Sequence, residues 1–223
     1  MLEAEGARVL RVARSGGDLD LDVTEPDAGT RAVEACMERL GSVDVLVNNA
    51  GFSEVKSPEE LTDADWQLQW DLNVMGPMHL MAAAGPRMAE RGWGRMVNVS
   101  SSSGKRPSLT NIAYAAGKAA QLSLSRSFAE AFAGTGVLVN AVTPGAVETP
   151  MWTAEGGLAD QQAERRGGSR EDALQAMRDK IPLGRLGTED EIAAVVVFLC
   201  SQAASNVTGA AWSVDGGSVP VII

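Results

Sequence analysis

The segment Val43-Asp44-Val45-Leu46-Val47, followed by Asn48-Asn49-Ala50-Gly51, decides the fold class because it has the composition of a buried strand that ends in a turn. The same pattern of an apolar strand and a turn returns at residues 94–100, 137–142 and 211–214. Apolar residues at helical spacing fill the intervals, at residues 24–40, 63–80, 111–133 and 188–200. Strands that alternate with helices favour parallel pairing, so we predict an α/β fold with a doubly wound parallel sheet.

Two parts of this pattern are less regular. Residues 8–13 and 19–21 predict two short strands, and Gly16-Gly17 leaves no room for a helix between them. Pro77 falls inside the long helix at residues 63–80, where a proline predicts a kink or a turn.

Residues 151–180 are polar and in places rich in glycine. Ser169 is placed to cap a helix that contains Leu174 and Met177. We interpret this segment as an excursion of loop and helix within one domain, residues 1–223, rather than as a second domain.

The composition excludes several classes of partner. The 223 residues carry a formal net charge of −10, whereas nucleic-acid binding normally needs a basic face. The longest apolar run, residues 192–200, is much shorter than the roughly 20 residues that span a bilayer. Residues 1–5 lack the basic and apolar parts of a signal peptide. We therefore expect no nucleic-acid or membrane partner, and a cytoplasmic location.

The cysteines and the single histidine give no support for a disulfide, a catalytic triad or a metal site. Cys36 and Cys200 are expected to be two small buried apolar residues, not a disulfide. His79 is the only histidine, so neither a Ser-His-Asp triad nor a cluster of metal ligands is predicted.

Polar residues after the strand at 94–100 are candidates for a site, because ligands of open parallel sheets bind beyond the carboxyl ends of the strands. Ser101 comes first, and Tyr114 and Lys118 share one face of the next helix because they are four residues apart. A lysine beside a tyrosine lowers the phenol pKa from about 10, which suits proton transfer to a carbonyl or from an alcohol. A Tyr-x-x-x-Lys pair alone is also a common contact on helix surfaces. The alternative hydroxyls at this strand end are Ser100, Ser102 and Ser103.

These residues are part of a longer series of motifs. Asn48-Asn49-Ala50-Gly51 follows a strand, Ser101 lies thirteen residues before Tyr114, and Tyr114-Ala115-Ala116-Gly117-Lys118 lies on a helix. The later motifs are Asn140-Ala141-Val142-Thr143-Pro144-Gly145 with Thr149, then Thr208-Gly209, then Val214-Asp215-Gly216-Gly217. In this order they resemble the short-chain dehydrogenase/reductase superfamily over nearly the whole chain, and most closely its 3-oxoacyl-ACP-reductase-like members. The resemblance implies a Rossmann-like, three-layer α/β/α fold. It also implies an oxidoreductase that interconverts a carbonyl and a secondary alcohol with a nicotinamide cofactor.

The resemblance also implies a role for each site residue. Tyr114 would be the general acid in reduction and the base in oxidation, and Lys118 would lower its pKa and hold the nicotinamide ribose. Ser101 would orient the substrate carbonyl, and Asn73 would hold a water that links Lys118 to solvent. The cofactor-binding residues that it implies are Asp22, Val23, Asn49, Ala50, Gly51, Tyr114, Lys118, Pro144, Gly145, Val147 and Thr149. Residues 151–180 would form a lid over the substrate.

Arg14 bears on the choice of cofactor. Specificity for the 2′-phosphate is set at the end of the second strand, where a basic residue accommodates the phosphate and an acid repels it. Arg14 lies there and no acid follows until Asp18, so NADP(H) is favoured over NAD(H). The alternatives are a solvated arginine and, for Asp22, an acid that caps the next helix.

The chain departs from the family at its start. The family begins with a strand and a glycine-rich turn that holds the pyrophosphate at a helix N-terminus, and no such run occurs before Gly6. The missing strand is normally central, so its absence would leave two neighbouring strands unpaired. Three explanations are open: a start assigned to an internal methionine, a fragment, or a fold that closes without this unit. A second function is therefore possible, a cofactor-free binding or assembly subunit.

The resemblance also implies a homo-oligomer, a tetramer or a dimer, packed through the two long helices and the C-terminal strand region. The apolar tail at residues 219–223 would suit burial at such an interface.

Overall fold

The computed structural model describes residues 1–220. The expectation about the tail at 219–223 therefore falls mostly on residues outside the described part. The strands of the described part are β1 (Val12–Ala13), β2 (Leu19–Asp20), β3 (Val45–Asn48), β4 (Gly94–Val99), β5 (Val137–Pro144) and β6 (Ala211–Val214). All of their pairings are parallel.

The helices fall in the predicted intervals, except that the helix predicted at 24–40 begins at Ala28 and the one predicted at 63–80 continues to Glu90. They are α1 (Ala28–Leu40), α2 (Asp63–Trp70), α3 (Gly76–Glu90), α4 (Ile112–Ala131), α5 (Pro150–Thr153), α6 (Leu158–Arg166), α7 (Arg170–Arg178) and α8 (Glu189–Cys200). Three of them begin with a capping box, formed by Thr62, Ser169 and Thr188 with the acid three residues later. These caps explain why the predicted starts of α2, α7 and α8 agree with the structure.

The long helix predicted at 63–80 is interrupted as expected near Pro77. A π-helical turn, Asp71–Met75, separates α2 from α3, and Pro77 lies in the first turn of α3. A proline is tolerated there because the first helical N–H groups need no partner within the helix. The interruption is therefore a π-turn and not a break in the helical path.

The main sheet has the order β3-β4-β5-β6 and is covered on both faces. On one face Met96 and Val139 pack with buried residues of α1, α3 and α4. On the other face Val97 and Val142 pack with α8, including Val196. The predicted three-layer α/β/α architecture is confirmed.

The sheet is divided at its N-terminal side. β1 and β2 form a separate two-stranded sheet, and the strand predicted at 8–13 is shortened to Val12–Ala13, the residues with a ladder partner. Within residues 1–220 no strand pairs with the free edge of β3. Leu46 of β3 packs against the core of the main sheet and against the cluster around Leu21. Side-chain packing, rather than ladder hydrogen bonds, therefore connects the two sheets.

Register brings the carboxyl ends of the central strands to one edge. Asn48 of β3 lies opposite Asn98 of β4, and Asn98 lies opposite Ala141 of β5. The Asn48 amide donates a buried hydrogen bond of 2.8 Å to the Asn98 side chain. The residues that follow these strands therefore meet at this edge, as parallel strands require.

None of the helices within residues 1–220 is long and apolar enough to cross a bilayer. Cys36 and Cys200 are free thiols, and burial raises the pKa of each. For Cys200 the pKa rises to about 12, so the thiol is held protonated.

Candidate active site

Ser101, Tyr114 and Lys118 meet at the carboxyl edge of the sheet. Ser101 follows β4 directly, and its hydroxyl accepts a hydrogen bond of 3.1 Å from the Ser103 amide. Tyr114 lies in the first turn of α4, where the Ser101 side chain is near enough to lower the pKa of its phenol. The Lys118 ammonium lies 5.7 Å from the centroid of the Tyr114 ring. The structure thus brings the three residues predicted from sequence into one group.

Lys118 is almost wholly buried, with 2% of its surface exposed. Its Nζ donates to the Val99 carbonyl at 2.7 Å and to Gln121 Oε1 at 3.2 Å. No carboxylate among residues 1–220 forms an ion pair with it. Desolvation therefore lowers the pKa of Lys118 to about 7.

The pKa of Tyr114 differs from the sequence expectation. Burial raises it above its usual value, and the nearby Ser101 side chain offsets this only in part. Lys118 was expected to lower it, but the same burial disfavours the charged form of the lysine. The phenol is therefore protonated at neutral pH.

Asn73 lies in the π-helical turn and is fully buried. Its amide donates to the Gln69 backbone carbonyl at 3.0 Å and to the Gln69 side chain at 2.7 Å. Gly117 of α4 lies directly against it, since a Cβ on this glycine would be 3.3 Å from Asn73 Cβ. Asn73 thus lies behind the helix that carries Tyr114 and Lys118, while its own Oδ1 has no hydrogen-bond partner.

A cavity of about 1040 Å³ opens over this group. The predicted site residues that line it are Asn49, Gly51, Ser101, Tyr114, Lys118, Pro144, Gly145, Val147 and Thr149. The predicted site residues that do not line it are Arg14, Asp22, Val23, Ala50 and Asn73. The alternative hydroxyls Ser100, Ser102 and Ser103 also line it, and Ser100 Oγ is engaged with the Lys118 carbonyl at 2.9 Å.

Arg14 and Asp22 lie near each other beside the two-stranded sheet. The backbone and side chain of Thr24 both hydrogen-bond the Asp22 carboxylate, and together with the charge of Arg14 they lower its pKa. The carboxylate therefore makes a local turn with Thr24, and it does not cap the next helix, because α1 begins at Ala28 with Asp27 as its N-cap residue. Arg14 itself is exposed.

The segment at 150–178 covers one side of the cavity. Trp152, Leu158 and Met177 contribute apolar surface to it. Helices α6 and α7 pack on a small core of their own that includes Leu174 and Ile181. The excursion predicted from sequence is thus three helices with a separate apolar cluster.

Two glutamines of this region were missed from sequence. Gln121 is fully buried and accepts from Lys118, and Gln69 links Asn73 to the Phe52 carbonyl at 3.2 Å. Both were detectable in principle, because Gln121 lies three residues after Lys118 and Gln69 lies four residues before Asn73 on the same helical path. Polar residues at these spacings from a buried site residue are candidates for its support.

The cavity fits the nicotinamide end of a dinucleotide. A buried ammonium and a phenol face it, and a Cβ at Gly51 would lie 3.7 Å from Lys118 Nζ, so this glycine leaves the ammonium accessible. For the phosphate end, the sequence has no glycine run of the G-x-x-x-G-x-G type. The cavity therefore supplies residues that would hold one half of the cofactor, the nicotinamide half.

Comparisons with known proteins find oxidoreductases that are similar to this chain. The family model described as enoyl-(acyl carrier protein) reductase matches residues 2–218. A cis-4-hydroxycyclohexanecarboxylate dehydrogenase of Sinomonas cyclohexanicum is 38% identical over 224 residues, which cover 98% of this chain and 84% of that protein. The 3-oxoacyl-[acyl-carrier-protein] reductase FabG of Thermotoga maritima is 37% identical over 201 residues, which cover 89% of this chain and 75% of that protein. The structure of L-sorbose reductase from Gluconobacter frateurii, complexed with NADPH and L-sorbose, has a TM-score of 0.83 and 32% identity, covering 91% of this chain and 76% of that one.

Proposed function

The chain belongs to the short-chain dehydrogenase/reductase superfamily, oxidoreductases of alcohols and carbonyl compounds, and on that premise we propose that Tyr114 is its general acid and base. The observation that carries the proposal is the group of Ser101, Tyr114 and Lys118 inside one cavity. The reaction is the reduction of a carbonyl to a secondary alcohol, or its reverse.

The chain's own residues supply the proton and the placement. In reduction the Tyr114 phenol donates its proton to the carbonyl oxygen, and the raised pKa keeps that proton available at neutral pH. The Ser101 hydroxyl donates a hydrogen bond to the same oxygen and fixes its position. Lys118 presents its ammonium toward the cavity at Gly51, where it would hydrogen-bond the ribose and stabilise the phenolate that remains.

The bound nicotinamide would supply or accept the hydride, and this chemistry belongs to the cofactor. Gly51, Val147 and Thr149 would contact its nicotinamide half. Asn73 would act on Lys118 from behind α4 through a water, since its Oδ1 is buried without a partner.

Turnover on a panel of carbonyl compounds tests the proposal. We expect NADPH oxidation to match the alcohol formed, for substrates drawn from 3-oxoacyl thioesters, ketoses and cyclic ketones. The names of the relatives span these chemistries, so they do not choose among them. A folded chain that binds NADPH and turns over no member of the panel would contradict the proposal. The non-enzymatic alternative is not favoured, because the relatives are named as reductases and dehydrogenases.

We favour NADP(H) over NAD(H) because Arg14 is exposed beside Asp22 and can pair with a 2′-phosphate. Arg14→Gln should raise the Kd of NADPH by about tenfold, the equivalent of one charge-assisted contact, and leave the Kd of NADH unchanged. A fluorescence titration of each cofactor measures this, with Arg87→Gln on α3 as a control. Tighter binding of NADH than of NADPH by the parent chain would overturn the assignment.

We propose that residues 151–180 form the substrate lid of a single domain. The segment packs on an apolar cluster, completed by Ile181 and Leu186, that is separate from the core clusters of the sheet, so it can move without breaking the core of the sheet. A small-molecule carbonyl or alcohol is the partner that such a lid would enclose. The two free thiols fit a cytoplasmic location.

We also propose a homo-oligomer, a dimer or a tetramer, that buries the outer face of α2. Trp66 and Trp70 are four residues apart on this helix and are 42% and 48% exposed. Sedimentation equilibrium should give a mass above that of one chain, and Trp70→Glu should shift it toward the monomer. A parent chain that sediments as a monomer would contradict the assembly.

A further inference from the structure

The cavity has a charge that differs from that of the chain as a whole. The sequence has 29 acidic and 19 basic residues, yet the basic residues that line the cavity outnumber the acids. Arg106, Arg166 and Lys180 lie at its outer part, and Lys118 lies at its base. Glu189 is the one acid among the described lining residues.

Among residues 1–220, the three outer cations form no ion pair with a carboxylate, whereas neighbouring arginines do. Arg165, beside Arg166, pairs with Glu60. In the same segment Arg170 pairs with Asp160, and Arg178 pairs with Glu171.

Within the described chain, by contrast, no ion pair forms at Arg166, Lys180 or Arg106. The Arg106 guanidinium donates a hydrogen bond of 3.4 Å to the Ser218 carbonyl. Three cations without carboxylates around one opening, in an acidic chain, form a positive rim that attracts anions.

The rim residues come from segments other than those proposed to hold the cofactor. Arg106 lies between Ser101 and α4, Arg166 ends α6, and Lys180 follows α7. The residues proposed to hold the cofactor come instead from the ends of β3 and β5 and from the region of Arg14. Trp152 and Met177, which line the cavity from the same segment as Arg166, offer apolar surface for a carbon skeleton.

We propose that the substrate carries an anionic group, a carboxylate or a phosphate, which Arg106, Arg166 and Lys180 bind while its carbonyl faces Tyr114. This inference rests on the proposed function for the reaction, but the anion site itself does not depend on turnover. A guanidinium presents its donors in a fork that matches both groups, and Lys180 adds a point charge.

The test compares two ligands that differ in charge and little in shape: 4-formylbenzoate and 4-formylbenzamide. Ligand-observed NMR measures their binding to the full chain without any reaction. We expect the benzoate to bind about fivefold to tenfold more tightly and to lose this advantage at high salt, since exposed charges are screened. The double variant Arg166→Gln/Lys180→Gln should remove the difference. The double variant Arg87→Gln/Arg91→Gln, which removes the same charge outside the cavity, should keep it.

Equal affinity for the two ligands, no binding of either, or a preference that survives in Arg166→Gln/Lys180→Gln would overturn the anion site. A loss of NADPH affinity in that variant with no change in benzoate binding would also overturn it, because the cations would then serve the cofactor. Selective binding of the benzoate without NADPH-dependent reduction would leave the anion site standing and count against the proposed reaction alone.

Discussion

Replacing Tyr114 by Phe is expected to lower kcat/KM for carbonyl reduction by about 10²- to 10⁴-fold, the usual contribution of a positioned general acid. The change removes one oxygen and leaves the ring that packs beside Lys118. The fold and the Kd of NADPH should therefore change little. No other phenol exists in the chain to replace it, since Tyr114 is the only tyrosine.

The measurement is steady-state reduction of the best substrate of the panel, with cofactor binding measured in parallel. Ser102→Ala is the matched control, because Ser102 also lines the cavity and also loses one hydroxyl. It should stay within about twofold of the parent, as substitutions away from special features usually do. If Tyr114→Phe keeps its activity, or Ser102→Ala loses as much, the proton donor has been assigned to the wrong residue.

The rates of reduction and of oxidation should depend on pH in different ways. Burial raises the pKa of Tyr114, so the protonated form that reduction needs is present at neutral pH. Oxidation needs the phenolate, and its rate should rise with pH. A rate of oxidation that falls with pH would contradict the role of Tyr114 as the base.

Replacing Lys118 by Met is expected to stabilise the fold near neutral pH while it removes activity. The folded state holds Lys118 at a pKa of about 7, against 10.5 for an unburied lysine, so burial of this side chain costs free energy at every pH below 10.5, and most of all below about 7. Methionine is similar in length and carries no charge. The free energy of unfolding should increase by about 2–4 kcal/mol near pH 7. The increase is smaller than the full desolvation cost because the Val99 carbonyl loses its hydrogen-bond donor.

The sign follows from proton binding. Below 10.5 the unfolded state binds more protons at Lys118 than the folded state does, so the stability of the parent chain falls as pH falls from 10.5 toward about 7. The advantage of Lys118→Met should therefore be largest near the pKa of about 7 and below it, and vanish toward 10.5. There the parent keeps its hydrogen bond of 2.7 Å to Val99 and should be the more stable of the two.

Urea unfolding across this pH window measures the difference. Lys180→Met is the control, because Lys180 is exposed and the difference in stability between this variant and the parent should be nearly independent of pH. A difference between Lys118→Met and the parent that stays constant with pH, or a variant that is less stable throughout, would contradict the picture of a desolvated ammonium. Stability gained at the cost of function is expected where a site residue is held in an unfavourable environment.

The sequence alone determined the order of strands and helices and several of their ends. Apolar spacing marks each element locally, and the capping residues Thr62, Ser169 and Thr188 make the first helical hydrogen bonds within three residues of themselves. Ser101, Tyr114 and Lys118 could also be grouped from sequence. Parallel strands end at one edge, and a helix brings residues four apart to one face. Their roles stay predictions.

Only the tertiary structure decided the rest, because it depends on contacts between distant residues. The sheet is divided because β1 and β2 pair only with each other. Only two residues of the strand predicted at 8–13 have a partner in β2, so the observed strand is limited to them. Burial by several elements lowers the pKa of Lys118 and raises that of Tyr114, and the second shift is opposite to the one that local spacing predicts. Arg165 and Arg166 are identical neighbours in sequence, yet one finds Glu60 across the fold and the other faces the cavity. Composition and periodicity cannot predict which of the two arginines forms the ion pair, because the partner Glu60 lies about a hundred positions away in the sequence.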